Sequence, residues 1–248
     1  MVERVLYAEL TPRRFRQRIA EAPIAYLPLG TLEWHGEHLP LGADGLQSQG
    51  FFEVLAREVG GIVLPMLFVG PDRRTVHEGR ELYGMDCHSA PETPPRQLDG
   101  SAYWIEEELF EQILRAVLKQ LARAGFKVVV AHGHGPSTDF FIKHSPVWEQ
   151  EFGLRLFACW GSPEDKAGLG IQTDHAAANE TSLVMALRPE LVEMDNLDPD
   201  PEVWPLAVGG EDPRTHASPD RGKQAIAVQV RRMAAVLRHA LEEIGHGA

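Results

Sequence analysis

Two short apolar runs, Ile24–Leu29 and Phe126–Ala131, each pass without a break into a histidine-bearing segment punctuated by glycine. Runs this apolar and this short read as strands buried on both faces, which in soluble proteins belong to parallel sheets covered by helices. Helical patterns surround them. Thr11–Ala20 has Thr11 as N-cap and Pro12 at its first position, and Leu46–Val59 is closed by Gly60 and Gly61. Ala102–Ala124 repeats Ile105, Leu109, Ile113, Val117 and Leu121 every four residues; Gly222–Ile244 puts Ile226, Val230, Met233, Leu237 and Leu241 on one face. Ile62–Val69 and Leu154–Trp160 are further strand candidates, and Asp174–Ser182 opens a helix that Arg188-Pro189 stops. The alternation predicts an α/β fold with a mainly parallel sheet, in one domain spanning 1–248. Between them, Gly70–Gly100 has no period and reads as a long loop, and Met194–Asp220 reads as irregular.

In such sheets ligands bind beyond the carboxyl ends of the strands. The first run empties into Gly30-Thr-Leu-Glu-Trp-His-Gly-Glu-His-Leu-Pro-Leu-Gly-Ala-Asp44, which packs Glu33, His35, Glu37, His38 and Asp44 into twelve residues. Carboxylates and imidazoles are ligands that Zn, Mn and Fe accept, and the thiolates of structural zinc modules are missing here, so the chemistry points to a catalytic metal site. Glu33 and His35, two apart on an extended segment, face one side. Asp44 returns after a Gly-containing loop, and His134, between Gly133 and Gly135 at the end of the second run, is a natural further ligand. Singly, each has an ordinary reading as a solvated acid or a hydrogen-bonded structural histidine; convergence at strand ends is what favours a site. Glu37 and His38 are weaker candidates, and His38 reads equally as a loop anchor. His132 reads equally as a partner that orients His134. Cys87 and Cys159 read as inert thiols.

Bulk properties narrow the function class. A net charge of −12 argues against nucleic acid as partner and suits a small-molecule substrate. Two cysteines make no disulfide framework. The N-terminus has no basic region followed by an apolar core, and no apolar run approaches the roughly 20 residues of a membrane span. The expectation is a cytoplasmic enzyme without a membrane partner.

The segment from Gly30 to Leu46 resembles the opening signature of the creatininase (creatinine amidohydrolase) family. Val130-Ala-His-Gly-His-Gly-Pro-Ser137 is similar to that family's Asn-Gly-His-Gly-Gly-Asn segment, and Asp174-His-Ala-Ala-Ala-Asn-Glu-Thr-Ser182 to its His-Ala-Gly…Glu-Thr-Ser helix start. The three motifs occur in the family's order, and the resemblance runs from about residue 22 to 197 with a poor match over 70–100. It implies a three-layer α-β-α fold, a two-metal hydrolytic centre (Zn or Mn, with Fe as a further option) and a homo-oligomer, commonly a hexamer. Carried over by position, Glu33, Asp44 and His134 hold one metal and His35 the second, with Asp44 bridging. A water or hydroxide between the metals is the implied nucleophile, and His175 the implied catalytic proton shuttle.

This chain departs from the pattern at Pro136, where creatininase proper has a glutamate ligand, and at His132 and Ser137, where the family has asparagines. The family's Gly-Thr-Ile-Ser stretch is echoed only by Asp99-Gly-Ser101. Glu180 is the expected replacement carboxylate at the metal and catalytic centre: with Glu33, Asp44 and a hydroxide it balances two divalent ions. The competing role for Glu180 is capping its own helix. His77, Glu78 and Trp148 are expected substrate contacts, with Arg80 and Trp160 as further ones. The implied activity is metal-dependent hydrolysis of a small non-peptide amide, cyclic or a formamide. Hydrolysis of a cyclic ketone or lactone from sugar catabolism, peptide maturation, and a non-catalytic metal-binding scaffold remain as alternatives.

Overall fold

The computed structural model describes residues 3–88 and 94–246. Six strands and eight α-helices are assigned among them. The strands are β1 (Ile24–Leu29), β2 (Ile62–Val63), β3 (Arg74–His77), β4 (Arg80–Tyr83), β5 (Val128–Gly133) and β6 (Arg155–Phe157). The helices are α1 (Pro12–Glu21), α2 (Ala43–Val59), α3 (Glu107–Arg123), α4 (Gly135–Phe152), α5 (Pro163–Lys166), α6 (Ala178–Leu187), α7 (Pro213–His216) and α8 (Pro219–His246).

The central sheet has the order β2-β1-β5-β6 and is parallel throughout, with Ile24 opposite Val128 and Leu29 opposite Gly133. Alternation along its strands feeds two cores. Ile24, Tyr26, Val128 and Val130 pack beneath Phe51, Phe52 and Leu55 of α2, Leu183 of α6 and Met233 and Leu237 of α8. Ala25, Leu27, Leu29, Val129 and Ala131 face the other way, onto Phe110, Leu114 and Leu118 of α3 and Phe141 and Trp148 of α4. Two helical layers around one parallel sheet make the expected three-layer α-β-α fold. Pro28 is tolerated in β1 because its nitrogen faces the side where β2 has already ended; its carbonyl accepts from Leu67 there.

Several sequence expectations need correction. Helix α2 begins at Ala43, so Asp44 lies in a first helical turn instead of a loop. Helix α3 begins only at Glu107 and buries Phe110, Leu114, Leu118 and Leu121, while Leu109 is 48% exposed. The four-residue repeat had picked the neighbouring face. Residues 102–105 make bridges instead: Ala102 to Leu32 and Trp104 to Gly70, whose carbonyl accepts from Ile105 N–H. The stretch 62–69 is strand only at Ile62–Val63. The 70–100 segment, of which 89–93 lie outside the described residues, contains an antiparallel hairpin, β3–β4, turning at Glu78 and Gly79, both at positive φ. Helix α4 had no sequence expectation at all. It carries Pro146 internally, above the exposed Ile142, where water can reach the carbonyl left without a donor. No helix among the described residues is long and apolar enough to cross a membrane.

Candidate metal centre

The carboxyl ends of β1 and β5 lie side by side, and the chain beyond each delivers the polar motifs to one place. The turn after β1 is fastened by Glu33 N–H donating to Leu41 O and Trp34 N–H to Ser101 Oγ. Beyond β5, Gly133 sits at φ +149°, where an added Cβ would lie 1.7 Å from Leu29 O. Only glycine permits that close strand approach, and it lets His134 N–H donate to Leu29 O at 3.2 Å. Asp44 projects from the first turn of α2, and Glu180 from the first turn of α6.

Five buried side chains converge there: Glu33, His35, Asp44, His134 and Glu180. His35 Nε2 is 3.6 Å from both Asp44 Oδ1 and Glu180 Oε2, and His134 Nε2 is 3.8 Å from Glu33 Oε1. Three sets form among the described residues, Glu33–Asp44–His134, His35–Asp44–Glu180 and Glu33–His35–His175, each with one donor atom per residue within 4.8 Å of the others. Asp44 belongs to the first two. Hydrogen bonds fix which nitrogens face inward. His35 Nδ1 donates to Glu33 O at 3.1 Å, so Nε2 is the nitrogen that faces the carboxylates. His134 Nδ1 pairs with Ser137 Oγ at 2.9 Å, so the serine at the family's asparagine position does the orienting, and Nε2 again points inward.

Electrostatics inside the cluster are strained without a cation. Burial, with Asp44 and Asp72 beside it, pushes the Glu33 carboxyl up to about 8 against the pull of His134 and His35. Burial likewise raises Glu180, with Asp44 and Asp174 adding to it. Burial pushes His35 down, but Asp44, Glu180 and Glu33 more than reverse this, holding it up at about 10. Asp44 is held well below the ordinary carboxylate range: burial pushes it up, and the pull of His35 and His134 outweighs that. Asp44 Oδ2 and His35 Nε2 are buried and make no hydrogen bond. Orphaned buried donor atoms on a mixed carboxylate–imidazole set are what a divalent ion satisfies, so the residues present fit divalent metal.

His175 approaches from the loop before α6, in antiparallel bridging with Gly209. Its Nε2 donates to Trp34 O at 2.8 Å, which leaves Nδ1 free, 3.9 Å from Glu33 Oε1. Its ring stacks on His35 with centroids 4.4 Å apart. Burial and the charge on His35 push His175 down to about 3. The loop is held in tension, with Gln172 and Ala176 at φ +55° and +53°. Glu180 is buried at the start of α6 and bonds back to the loop before it. Its Oε2 accepts from Ala176 N at 2.8 Å, close to a capping role, and the same oxygen faces His35. Asp174 takes the larger share of capping, accepting from Asn179 N and Glu180 N.

The centre opens into a cavity of about 330 Å³, lined by acids and histidines of the cluster together with Asp72, Met85, Trp160, Gln172 and Asp174. The expected substrate contacts His77, Glu78 and Trp148 are not among the lining residues. Trp148 is 1% exposed and belongs to the core under α4, against Phe140 and Phe141. His77 and Glu78 sit at the tip of the β3–β4 hairpin beside the exposed Arg80, with Glu78 itself exposed. Glu37 is exposed, and His38 anchors the loop through Thr181 Oγ1 at 2.9 Å. His132 does not orient His134. Its Nε2 donates to Ile171 O, a carbonyl that Trp160 Nε1 also holds.

Two residues near the metal cluster escaped the sequence reading. Gln172 Nε2 donates to Asp44 Oδ1 and to Asp44 O, both at 3.1 Å, and its Oε1 accepts from Ser48 Oγ. Asp72 Oδ2 lies 3.2 Å from His134 Nε2. A signal for Asp72 was present: Gly70-Pro-Asp72 follows the strand candidate at 62–69, just as the other two polar motifs follow theirs.

The family model for creatininase, described as creatinine amidohydrolase, matches residues 8–237. A creatinine amidohydrolase of Pseudomonas putida is 26% identical over 225 residues, covering 83% of this chain and 80% of the relative. Among solved structures, a manganese creatininase superposes with TM-score 0.72 at 22% identity, covering 96% of this chain and 99% of the other. A mutant creatininase of Zn-Zn type gives TM-score 0.71 at 23% identity, over 96% and 98%. A putative creatinine amidohydrolase from Bacteroides fragilis gives 0.62 at 18%, over 96% of each chain. The chain belongs to the creatininase family, and with it to the hydrolases that act on carbon–nitrogen bonds other than peptide bonds.

Proposed function

We propose that this protein is a two-metal amidohydrolase that cleaves a small cyclic amide or formamide. The observation carrying this reading is the pair of ligand sets that share Asp44, with orphaned donor atoms in the bridging carboxylate and in His35. One ion would be held by Glu33, Asp44 and His134, and the other by His35, Asp44 and Glu180. Bound divalent ions supply Lewis acidity, lowering the pKa of water and polarising a carbonyl oxygen. Zn-Zn and Mn forms of relatives support Zn or Mn as the ions here.

The chain's own residues supply the rest. His175 keeps Nδ1 unprotonated at neutral pH, since burial disfavours its charged form. That nitrogen faces the cavity and can take a proton from attacking water, then return it to the leaving nitrogen. The carbonyl of Trp34 fixes the tautomer and the ring plane. A cavity of about 330 Å³ admits a small ring or short chain and excludes a folded peptide. Pro136 has no donor atom where creatininase proper has a glutamate, and Glu180 takes up that duty. This difference favours an amide other than creatinine as substrate.

Metal analysis of wild type and Glu180→Gln tests the reading. Two ions per wild-type chain, one in the variant, and amide hydrolysis abolished by chelation are expected. Two ions in Glu180→Gln would remove Glu180 from the ligand set. A metal-replete wild type inert on a broad amide and lactone panel would favour a scaffold role.

A further inference from the structure

We infer that Asp72 is a fourth protein ligand of the Glu33–Asp44–His134 metal position, an inference that rests on the two-metal reading above. Its carboxylate is aimed at that position by several contacts. Gly70 tucks the loop against His134 and Ser137: an added Cβ there would lie 2.2 Å from Ser137 Oγ and 3.5 Å from His134 Nδ1. Asp72 Oδ1 accepts from Arg73 N at 2.5 Å, which fixes the side chain and turns Oδ2 toward His134. Gly84, at φ +51°, faces the carboxylates with no side chain; a Cβ there would stand 2.6 Å from Asp72 Oδ2 and 3.2 Å from Glu33 Oε2. A bare glycine is thus what lets Asp72 and Glu33 converge beside one imidazole.

The spacing of Asp72 from His134 suits coordination. Two oxygen or nitrogen atoms each about 2.1 Å from one ion are about 3.0–3.4 Å apart at octahedral or tetrahedral angles. Asp72 Oδ2 and His134 Nε2 are 3.2 Å apart, and the nitrogen concerned is the one left free by Ser137. The Asp72 side chain is 9% exposed, so without an ion its charge is stabilised mainly by that imidazole and the Arg73 amide. Asp44 Oδ2, buried and unpartnered, lines the same cavity.

The consequence is an asymmetric centre. Glu33, Asp44, Asp72 and His134 give one position four protein ligands, while His35, Asp44 and Glu180 give the other three. A position with four protein donors is closed and holds its ion tightly; one with three keeps a place open for substrate or water. Asp72 also supplies a fourth carboxylate toward the charge of two divalent ions.

Calorimetric titration of chelator-stripped protein with Zn2+ or Mn2+ alone, paired with a structure of the metal-loaded wild type, tests this. Two steps are expected in wild type. Asp72→Asn should weaken the tighter step by more than about a hundredfold, beyond the ten- to hundredfold range for loss of an outer hydrogen-bond partner, and leave the weaker step in place. Glu180→Gln should show the reverse. An Asp72 oxygen within about 2.2 Å of the ion is expected in the loaded structure. An Asp72 carboxylate left more than 3 Å from the ion, or both steps unchanged in Asp72→Asn, would overturn the assignment. Absence of any metal binding by wild type would instead overturn the two-metal reading itself.

Discussion

The strand-end half of the metal centre and its loop-borne half are built differently. Glu33, His35 and His134 follow β1 and β5, and their backbone is tied to the sheet through Leu29, Leu41 and the Gly133 approach. Asp72, Gln172 and His175 sit on loops that cross the open end of the sheet, with Gln172 itself and Ala176, next to His175, at left-handed φ. The first half sits on a rigid scaffold. The second half lines the cavity, with Gln172 bonded to Asp44 and Asp72 to His134. Adaptable parts of a site belong on loops held by a rigid frame, which is how one fold can serve different substrates.

Substitutions can break that division. Asp44→Asn should have the largest effect, because Asp44 serves both ligand sets: both ions are lost, and hydrolysis falls by at least about a thousandfold, measured by metal analysis and turnover. Trp148→Ala, in the core under the frame, should cost about 3–5 kcal/mol in denaturant unfolding yet leave metal stoichiometry intact in the folded fraction. Gln172→Ala removes the amide that bonds to Asp44 and Ser48 but leaves every carboxylate and imidazole of the cluster. Metal affinity should fall about ten- to a hundredfold with no change in stoichiometry at saturating metal, and unchanged affinity would mean that α2 alone orients Asp44.

A smaller effect concerns pH. Burial pushes His132 down to about 4, with the bond to Ile171 O opposing it. A folded value below the unfolded value of about 6.5 means that the folded state binds fewer protons, so stability is full above 6.5 and falls as pH drops toward 4. In chelator-stripped protein, His132 alone should cost about 1 kcal/mol by pH 5.5. His132→Gln should flatten that part of the stability-versus-pH curve. Least of all, His77→Ala at the hairpin tip should change turnover less than about twofold, since the residue lies outside the cavity lining. A large loss there would bring the hairpin into the site.

Glu33, His35, Asp44 and His134 were legible because they follow apolar strand runs in compact motifs, and topology brings such ends together. Glu180 was legible only as a need, created by Pro136, and its 3.6 Å approach to His35 depends on how α6 packs against α2 and α8. Trp148 was misplaced because an aromatic on an unassigned stretch gives no sign of which way it faces. Helix α4 itself was invisible: its buried Phe140, Phe141 and Trp148 alternate with exposed Ile142 and Val147, and Pro146 interrupts the pattern. The face of α3 was misread for a related reason, since Leu109 and Phe110 are both apolar and only packing chooses between them.

By itself, then, the sequence determined the parallel sheet, the family and four members of the buried cluster, because these rest on local periodicity and on motifs contiguous in the chain. Tertiary structure alone decided that Asp72 turns toward His134, that Gln172 holds Asp44, and that His175 leaves Nδ1 free. Those outcomes depend on contacts between residues 62 to 141 positions apart, made where loops cross the sheet end, and no local pattern encodes them.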